Sequence, residues 1–212
     1  RFNMPLSQKI GVVDYGTGNL RSVVKAFEYL GAQVLVFQSP AGMDEMDALV
    51  FPGQGTFDQC LEALDRSGLD QKLQEWVHAG KPYFGICLGL QVLFEGSEEG
   101  KLPGLKIFHG TVRRFPSNPS LKVPHMGWNA VNWNLQPTHP LRKDLVDGDQ
   151  FYFVHSYYVT GVSSELVKFE TSYGIPFVSG IFSGKCVATQ FHPEKSQSKG
   201  LQLYRNFLEK IV

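Results

Sequence analysis

Residues 82–94 read Pro-Tyr-Phe-Gly-Ile-Cys-Leu-Gly-Leu-Gln-Val-Leu-Phe and carry the strongest structural signal in the chain. The apolar run at 82–86 predicts a buried strand, and the run at 88–94 predicts a helix. Cys87 lies at the junction, with Gly85 and Gly89 two residues to either side. A sharp strand-to-helix turn crowds its flanks, so glycines at this spacing are typical of a nucleophile elbow.

A cysteine at such a turn has two interpretations. In the functional one, the sulfur lies over the helix N-terminus, where unsatisfied N–H groups favour the thiolate. The N–H of Leu88 would then face a developing oxyanion. In the other, Cys87 is a small buried apolar residue, as cysteines in apolar runs usually are. The turn alone leaves both open.

Strands alternate with helices on the N-terminal side of this turn. The predicted strands are Lys9–Tyr15, Gln33–Phe37, Ala48–Phe51 and Pro82–Ile86, and the predicted helices are Leu20–Leu30, Asp58–Asp65, Leu69–Ala79 and Leu88–Phe94. This alternation predicts a parallel sheet that is covered on both faces by helices.

Beyond Gly100, short alternating or aromatic runs replace the helical pattern. They predict strands in hairpins at Lys106–Phe115, Trp128–Trp133, Phe151–Thr160, Leu166–Tyr173, Phe177–Phe182 and Lys185–Phe191, with a closing helix at Leu201–Ile211. We therefore expect one α/β domain over residues 4–212, with a mostly parallel central sheet and a β-rich C-terminal half. Residues 1–3 precede Met4, a natural start, and we expect them to be a cloning remnant.

The composition excludes several classes of function. Twenty basic and twenty acidic side chains balance over 212 residues, so we expect neither nucleic acid nor an anionic membrane as a partner. The longest apolar stretch, Tyr83–Phe94, is too short to span a bilayer. Cys60, Cys87 and Cys186 are widely spaced, which argues against a disulfide framework and a thiolate zinc site. We expect a cytoplasmic protein with no metal or other cofactor.

A candidate base follows at Gln190-Phe191-His192-Pro193-Glu194. In an extended chain the side chains at i and i+2 point the same way, so His192 and Glu194 are predicted to share a face at the end of the strand from Lys185. His192 would take the thiol proton, and Glu194 would orient the ring. An isolated pair of this kind is more often a strand-end histidine beside a solvated carboxylate, and Cys87 favours the catalytic interpretation.

A third candidate feature is the loop Phe51-Pro52-Gly53-Gln54-Gly55, which leaves a strand at the edge where α/β proteins build their sites. The backbone N–H groups of Gly53 and Gln54 are candidates to complete an oxyanion hole with that of Leu88. An ordinary glycine turn is the alternative. A phosphate loop is a third possibility, but it lacks the Lys-Ser/Thr of a Walker motif.

Together, the G-I-C-L-G turn, the preceding P-G-x-G loop and the later H-P-E resemble the class I glutamine amidotransferases over nearly the whole chain from Lys9. Finer features resemble the glutaminase branch that serves imidazole glycerol phosphate synthesis. These are Asp14–Asn19, the run Val123-Pro124-His125-Met126-Gly127-Trp128-Asn129, and Phe153-Val154-His155-Ser156-Tyr157. The resemblance implies a flavodoxin-like three-layer fold and a glutamine substrate.

The resemblance also implies roles for individual residues. Cys87 would attack the side-chain amide of glutamine, with His192 as base and then acid and Glu194 as its orienter. The residues that would hold the substrate's α-amino and carboxylate groups are Gln91 and Glu99, on the helix after the elbow, together with Ser156 and Tyr157. One departure is Gln54, because many relatives have valine in that loop position.

The resemblance further implies a partner, a (β/α)₈-barrel cyclase subunit that receives ammonia. The residues that match partner-facing positions are Asn19, Met126, Trp128, Tyr152 and Lys195. Two other classes stay open at this point: a stand-alone cysteine hydrolase, which predicts full activity without a partner, and a non-catalytic binding module. A glutaminase of another pathway is the nearest rival in specificity.

Overall fold

The computed structural model describes residues 7–16 and 20–212, so Asn19 and the predicted remnant at residues 1–3 lie outside the described residues. The strands are β1 (Lys9–Val13), β2 (Gln33–Phe37), β3 (Ala48–Gly53), β4 (Tyr83–Cys87), β5 (Thr111–Arg114), β6 (His125–Val131), β7 (Asp149–His155), β8 (Tyr157–Thr160), β9 (Val167–Tyr173), β10 (Ile175–Ser183) and β11 (Cys186–Thr189). The helices are α1 (Arg21–Tyr29), α2 (Phe57–Ser67), α3 (Leu69–His78), α4 (Leu88–Gln91) and α5 (Gln197–Lys210).

One sheet of nine strands organises the described chain, in the order β2-β1-β3-β4-β11-β10-β8-β5, with β9 also paired to β10. Strands β2, β1, β3, β4 and β11 run parallel to their neighbours. The pairings of β10 with β11, β8 and β9 are antiparallel, as is that of β5 with β8. The prediction of a largely parallel centre with a β-rich C-terminal half is confirmed. Strands β6 and β7 form a separate antiparallel pair.

The two faces of the sheet carry two apolar cores, as the two-residue period of β3 shows. Ala48 and Val50 pack in one core, with buried residues of α1 and α5. Leu49 and Phe51 pack in the other, with buried residues of α2 and α3. Successive side chains of a strand point to opposite faces, so a continuously apolar strand is what a sheet buried on both sides requires. The architecture is three-layered.

Several predicted elements have different bounds near the carboxyl ends of the central strands. Strand β1 ends at Val13 and not at Tyr15, and β3 extends past Phe51 to Gly53. The helix predicted over 88–94 ends at Gln91, because Leu93 N and Phe94 N bond three residues back and tighten the chain. The strand predicted over 151–160 breaks at Ser156, where the chain leaves the β6–β7 pair and joins β5 and β10. The strand predicted to reach Phe191 ends at Thr189.

Other differences lie farther from these ends. Only Thr111–Arg114 of the strand predicted at 106–115 forms a ladder, β6 begins three residues earlier than predicted, and α5 begins four residues earlier. Among the described residues, each helix is too short or too polar to span a bilayer.

Candidate active site

Cys87 occupies the junction of β4 and α4 in a conformation that side chains rarely adopt, with φ 56° and ψ −107°. A positive φ outside glycine costs free energy and persists where the surroundings enforce it, most often at functional sites. The predicted sharp turn is therefore present. It leaves Cys87 partly exposed, whereas Cys60 and Cys186 are buried.

Three glycines interlock around this turn. A Cβ on Gly89 would lie 2.1 Å from the carbonyl oxygen of Phe51, and one on Gly85 would lie 2.3 Å from the carbonyl oxygen of Gly89. A Cβ on Gly53 would lie 2.6 Å from Cβ of Leu88. Side chains are excluded because three backbone segments meet here. The sequence spacing predicts this for Gly85 and Gly89, and the structure adds Gly53.

Helix α4 is shorter than predicted, which weakens the electrostatic effect of the helix on the Cys87 sulfur. A one-turn helix offers a smaller macrodipole than the two-turn helix that the sequence predicts, because aligned peptides add. The sulfur is instead contacted by a side chain that sequence reasoning missed. Nε2 of Gln190 donates a hydrogen bond to Sγ of Cys87 at 3.5 Å.

His192 and Glu194 are paired, as predicted, with 2.7 Å between Nδ1 and Oε1 and only 4% of each side chain exposed. The predicted reason is wrong. The two residues do not share a strand face, because Pro193–Lys195 form a 3₁₀ turn that folds the carboxylate back onto the ring. The turn is held by a bond from Oγ of Ser196 to the carbonyl oxygen of His192, at 2.6 Å.

The second carboxylate oxygen of Glu194 accepts a hydrogen bond from the phenol of Tyr204, at 3.0 Å. Tyr204 lies on α5 and is fully buried. Burial acts first, and with the adjacent carboxylate it raises the pKa of Tyr204 well above its usual range, so the phenol stays a donor. Glu194 is thus fixed through both oxygens.

The protonation of His192 follows from its surroundings. Burial acts to lower its pKa, but interaction with the Cys87 sulfur and with the Glu194 carboxylate raises it to about 10. Nδ1 donates to Glu194, and Nε2 is buried without a hydrogen-bond partner among the described residues. A protonated ring beside the sulfur can give its proton to a leaving group, so the pair is arranged as a nucleophile and its proton carrier.

The loop at Gly53–Gly55 lies against the elbow, and Gly53 pairs with Cys87 in the β3–β4 register. The N–H of Gln54 donates to the hydroxyl of Tyr15 at 2.6 Å, and the same hydroxyl donates to the carbonyl oxygen of Gln54. In this conformation the predicted oxyanion donor at Gln54 is engaged with Tyr15. Its role in catalysis stays a prediction.

A pocket of about 360 Å³ opens at the elbow, within the size range of small-molecule sites. It is lined by Gly53, Gln54, Gly55, Cys87, Leu88, Gln91, Glu99, Val154, His155, Ser156, Tyr157 and His192. Every predicted catalytic, oxyanion and substrate-binding residue except Glu194, which lies behind His192, therefore borders one cavity.

Glu99 reaches the pocket from a position that the sequence did not predict. It does not lie on the helix after the elbow, because that helix ends at Gln91. It lies in the following loop, where Oε1 accepts a hydrogen bond from the N–H of Phe57 at 2.6 Å. Phe57 begins α2, so the carboxylate also caps a helix N-terminus.

A buried pair of histidines, whose mutual contact sequence reasoning did not predict, lies at the wall of the pocket, which His155 borders. Nδ1 of His155 donates to the carbonyl oxygen of Tyr157 at 2.8 Å, so its Nε2 accepts from Nδ1 of His125, at 2.9 Å. Nε2 of His125 in turn accepts from the amide of Asn129, at 3.1 Å. Burial lowers the pKa of His125 to about 4 and that of His155 to about 3, so both rings are neutral.

Four of the predicted partner-facing residues are described by the structure, and they lie outside the pocket. Met126 is 62% exposed and Trp128 48%, and the rings of Trp128 and Tyr152 meet edge to face across β6 and β7. Lys195 is exposed on the turn that carries Glu194. Within the described ranges 7–16 and 20–212, no group of three metal-ligating side chains occurs.

Comparison with known proteins bears on this site. The family model for glutamine amidotransferase class-I matches residues 11–211. The chain is 45% identical over 202 residues to imidazole glycerol phosphate synthase subunit HisH of Acinetobacter baylyi, which covers 95% of this chain and 98% of that protein. It is 46% identical over 211 residues to the subunit of the same name from Dechloromonas aromatica, covering 95% and 96%.

Solved structures agree on the fold. PurLQS from Thermotoga maritima superposes with a TM-score of 0.76 at 17% identity, over 97% of this chain and 100% of that one. A glutamine amidotransferase from the same organism superposes with a TM-score of 0.71 at 15% identity, over 96% and 97%.

Proposed function

The chain belongs to the class I glutamine amidotransferases, and from that premise we propose that it is the glutaminase subunit of imidazole glycerol phosphate synthase, with Cys87, His192 and Glu194 as its catalytic triad. Its product ammonia serves histidine biosynthesis. The observation that carries the assignment of residues is the single pocket in which Cys87 and His192 meet, with Glu194 bonded behind the ring.

The reaction follows from the chemistry of these groups. The Cys87 sulfur attacks the side-chain carbonyl carbon of glutamine, and the electron pair of the C=O bond moves to oxygen. The N–H of Leu88 and a peptide N–H of the Gly53–Gln54 loop stabilise that oxyanion. His192 gives its proton to the leaving nitrogen, so ammonia departs and a glutamyl thioester remains.

Hydrolysis reverses the proton path. His192 takes a proton from water as the water oxygen attacks the thioester. The carbonyl then re-forms and expels the Cys87 thiolate, which releases glutamate and leaves His192 protonated for the next cycle. Glu194 stabilises the imidazolium in both halves, and its contact with Tyr204 keeps the carboxylate aligned. The carboxylate of Glu99, the amide of Gln91 and the Ser156–Tyr157 segment supply polar groups for the two ends of the amino acid.

The relatives' name also implies a complex with a cyclase subunit, and we propose that Met126, Trp128, Tyr152 and Lys195 contact it. Large apolar side chains that are half exposed on one strand pair support a docking surface. We propose that the cyclase is a (β/α)₈ barrel. Asn19 is also proposed for this surface, on its position in the sequence alone. A cytoplasmic setting is proposed as well, supported by three cysteines that form no disulfide.

The decisive experiment measures glutamate release by the chain alone and with the cyclase subunit and its ribonucleotide ligand. We expect a large stimulation by the complex. A stand-alone hydrolase would instead be fully active without the partner. Labelling with diazo-oxonorleucine tests the nucleophile, since the adduct should map to Cys87. Labelling of Cys60 or Cys186 in its place would overturn the mechanism.

A further inference from the structure

Gln190, the first residue after β11, contacts the nucleophile but is not part of the proposed triad. Gln190 is fully buried, and its side-chain amide nitrogen lies 3.5 Å from Sγ of Cys87. We propose that Gln190 is a positioning residue that donates a hydrogen bond to the Cys87 thiolate and fixes the direction of the sulfur. This deepens the proposed function, because it concerns the same nucleophile.

The sheet register explains why Gln190 reaches this position. Strands β11 and β4 are parallel and pair Thr189 with Ile86, so the next residue along each chain brings Gln190 beside Cys87. The backbone of Gln190 is held by a hydrogen bond from its N–H to the carbonyl oxygen of Ser179, at 2.8 Å. Gln190 directly follows β11, so its side chain approaches the sulfur from a backbone position that is bonded to the next strand.

The orientation of the Gln190 amide is fixed through Gln91 by the carbonyl oxygen of Tyr157, which can only accept a hydrogen bond. The carbonyl oxygen of Tyr157 accepts from Nε2 of Gln91 at 3.2 Å, and the same nitrogen donates to Oε1 of Gln190 at 2.9 Å. Because the oxygen of Gln190 faces that donor, its NH₂ group must face the sulfur. A flipped amide would set two NH₂ groups against each other and leave the sulfur facing an oxygen.

This orientation gives Gln190 a role distinct from that of His192. An amide nitrogen donates but cannot take up the thiol proton, so Gln190 cannot act as the base. A donor interacts more strongly with a thiolate than with a neutral thiol, so the contact favours the ionised sulfur. It also restrains rotation about the Cα–Cβ bond of Cys87, which sets the direction of Sγ.

The test uses the full chain and a thiol probe that needs no glutamine. Gln190→Met keeps the length of the side chain and removes the donor, and Gln190→Asn keeps the amide but shortens its reach. Gln74→Met is the matched control, because Gln74 on α3 donates to the carbonyl oxygen of Leu105, away from the pocket. The rate of iodoacetamide modification of Cys87 is measured by peptide mapping across a pH series, and thermal melting reports folding.

We expect Gln190→Met and Gln190→Asn to be alkylated about tenfold more slowly than the parent near pH ~7, since a hydrogen bond to a charged group is lost. The deficit should shrink as the pH rises, because hydroxide then ionises the thiol without assistance. In the complex with the cyclase, kcat for glutamine should fall by a similar factor. Because the variants also disturb the acceptor of Gln91, the alkylation rate and not KM decides the role of Gln190. Gln74→Met should match the parent.

Parental alkylation rates in a folded Gln190 variant would overturn the inference, and so would a deficit that stays constant with pH, which would indicate altered access. Should Gln190→Met fail to fold, Gln190→Asn alone decides. The two proposals fail separately. If the parent complex releases no glutamate, the proposed function is wrong, while the alkylation rates still test the role of Gln190.

Discussion

The contact between Tyr15 and Gln54 predicts that removing one hydroxyl raises the activity of the isolated chain. The Tyr15 ring stacks on Phe51 with 5.4 Å between centroids and 8° between planes, so Tyr15→Phe keeps the packing. What it removes is the hydroxyl that binds both the N–H and the carbonyl oxygen of Gln54. Without these two hydrogen bonds, less free energy opposes a turn of the Gln54 peptide that points its N–H toward the pocket.

The size of the effect follows from the two hydrogen bonds. Each contributes about 0.5–1.5 kcal/mol net, so their loss favours the turned loop by roughly 1–3 kcal/mol. At about 1.4 kcal/mol per factor of ten, partner-independent glutamate release should rise about 5- to 150-fold. We propose that the partner turns this loop in the activated complex, so the rate there should change little in Tyr15→Phe. Stimulation by the cyclase should therefore shrink by the same factor.

The assay is glutamate release by the isolated chain and by the complex, for the parent, Tyr15→Phe and Tyr29→Phe. Tyr29 is 76% exposed, so it controls for the loss of a phenol as such. An unchanged or lower basal rate in a folded Tyr15→Phe protein would refute the reasoning. An equal rise with and without the partner would also refute it, since that result would place the effect in the chemical step.

Two further predictions concern the groups behind the triad. Tyr204→Phe removes the donor to Oε2 of Glu194. Glutamate release by the complex should then fall about tenfold, and the free energy of unfolding should fall by roughly 1.5–3 kcal/mol. Tyr29→Phe is the control, and a parental rate in Tyr204→Phe would show that the His192 contact alone aligns the carboxylate. Stability should also fall on acidification, because the pKa values of His125 and His155 are lower in the folded chain than the usual ~6.5. As the pH falls, the unfolded chain takes up protons on these histidines before the folded chain does. Their contribution to the free energy of unfolding is therefore complete above pH ~7 and is lost toward pH ~4. About 2–4 kcal/mol of it should be lost between pH ~6.5 and ~5. The raised pKa of His192 adds no loss in that window, because its contribution is complete below pH ~6.5. Urea unfolding across this range measures the slope, and an equal slope in a His125→Gln, His155→Gln double variant would contradict the assignment.

The sequence predicts the central sheet and the position of Cys87 well, because both depend on local patterns. An apolar strand of five residues and glycines on either side of a cysteine are written in consecutive positions. The pairing of His192 with Glu194 was predicted for the wrong reason. The period-two rule needs an extended chain, and it fails at Glu194 because Pro193 begins a 3₁₀ turn.

Contacts that join distant segments could not be predicted in this way. Tyr15 and Gln54 are 39 residues apart, and Glu194 meets Tyr204 only because α5 packs on the turn after His192. Glu99 was placed on a helix that stops eight residues before it, because nothing local marks where a buried helix tightens and ends. Such contacts depend on the order of strands in the sheet, which periodicity does not encode.

The directions of the hydrogen bonds connect these separate observations. The carbonyl oxygen of Tyr157 accepts two hydrogen bonds. One comes from His155, at the end of a series of hydrogen bonds that starts at Asn129 and passes through His125. The other comes from Gln91, which also orients Gln190 toward the sulfur. The first chain begins on β6, the strand that exposes Met126 and Trp128. Since His192 N also bonds to the carbonyl oxygen of Tyr152 on β7, the β6–β7 pair is tied to both sides of the nucleophile. A partner that shifts this strand pair must therefore strain the donors to the sulfur or carry them with it, and either outcome acts on Cys87 without a contact to it.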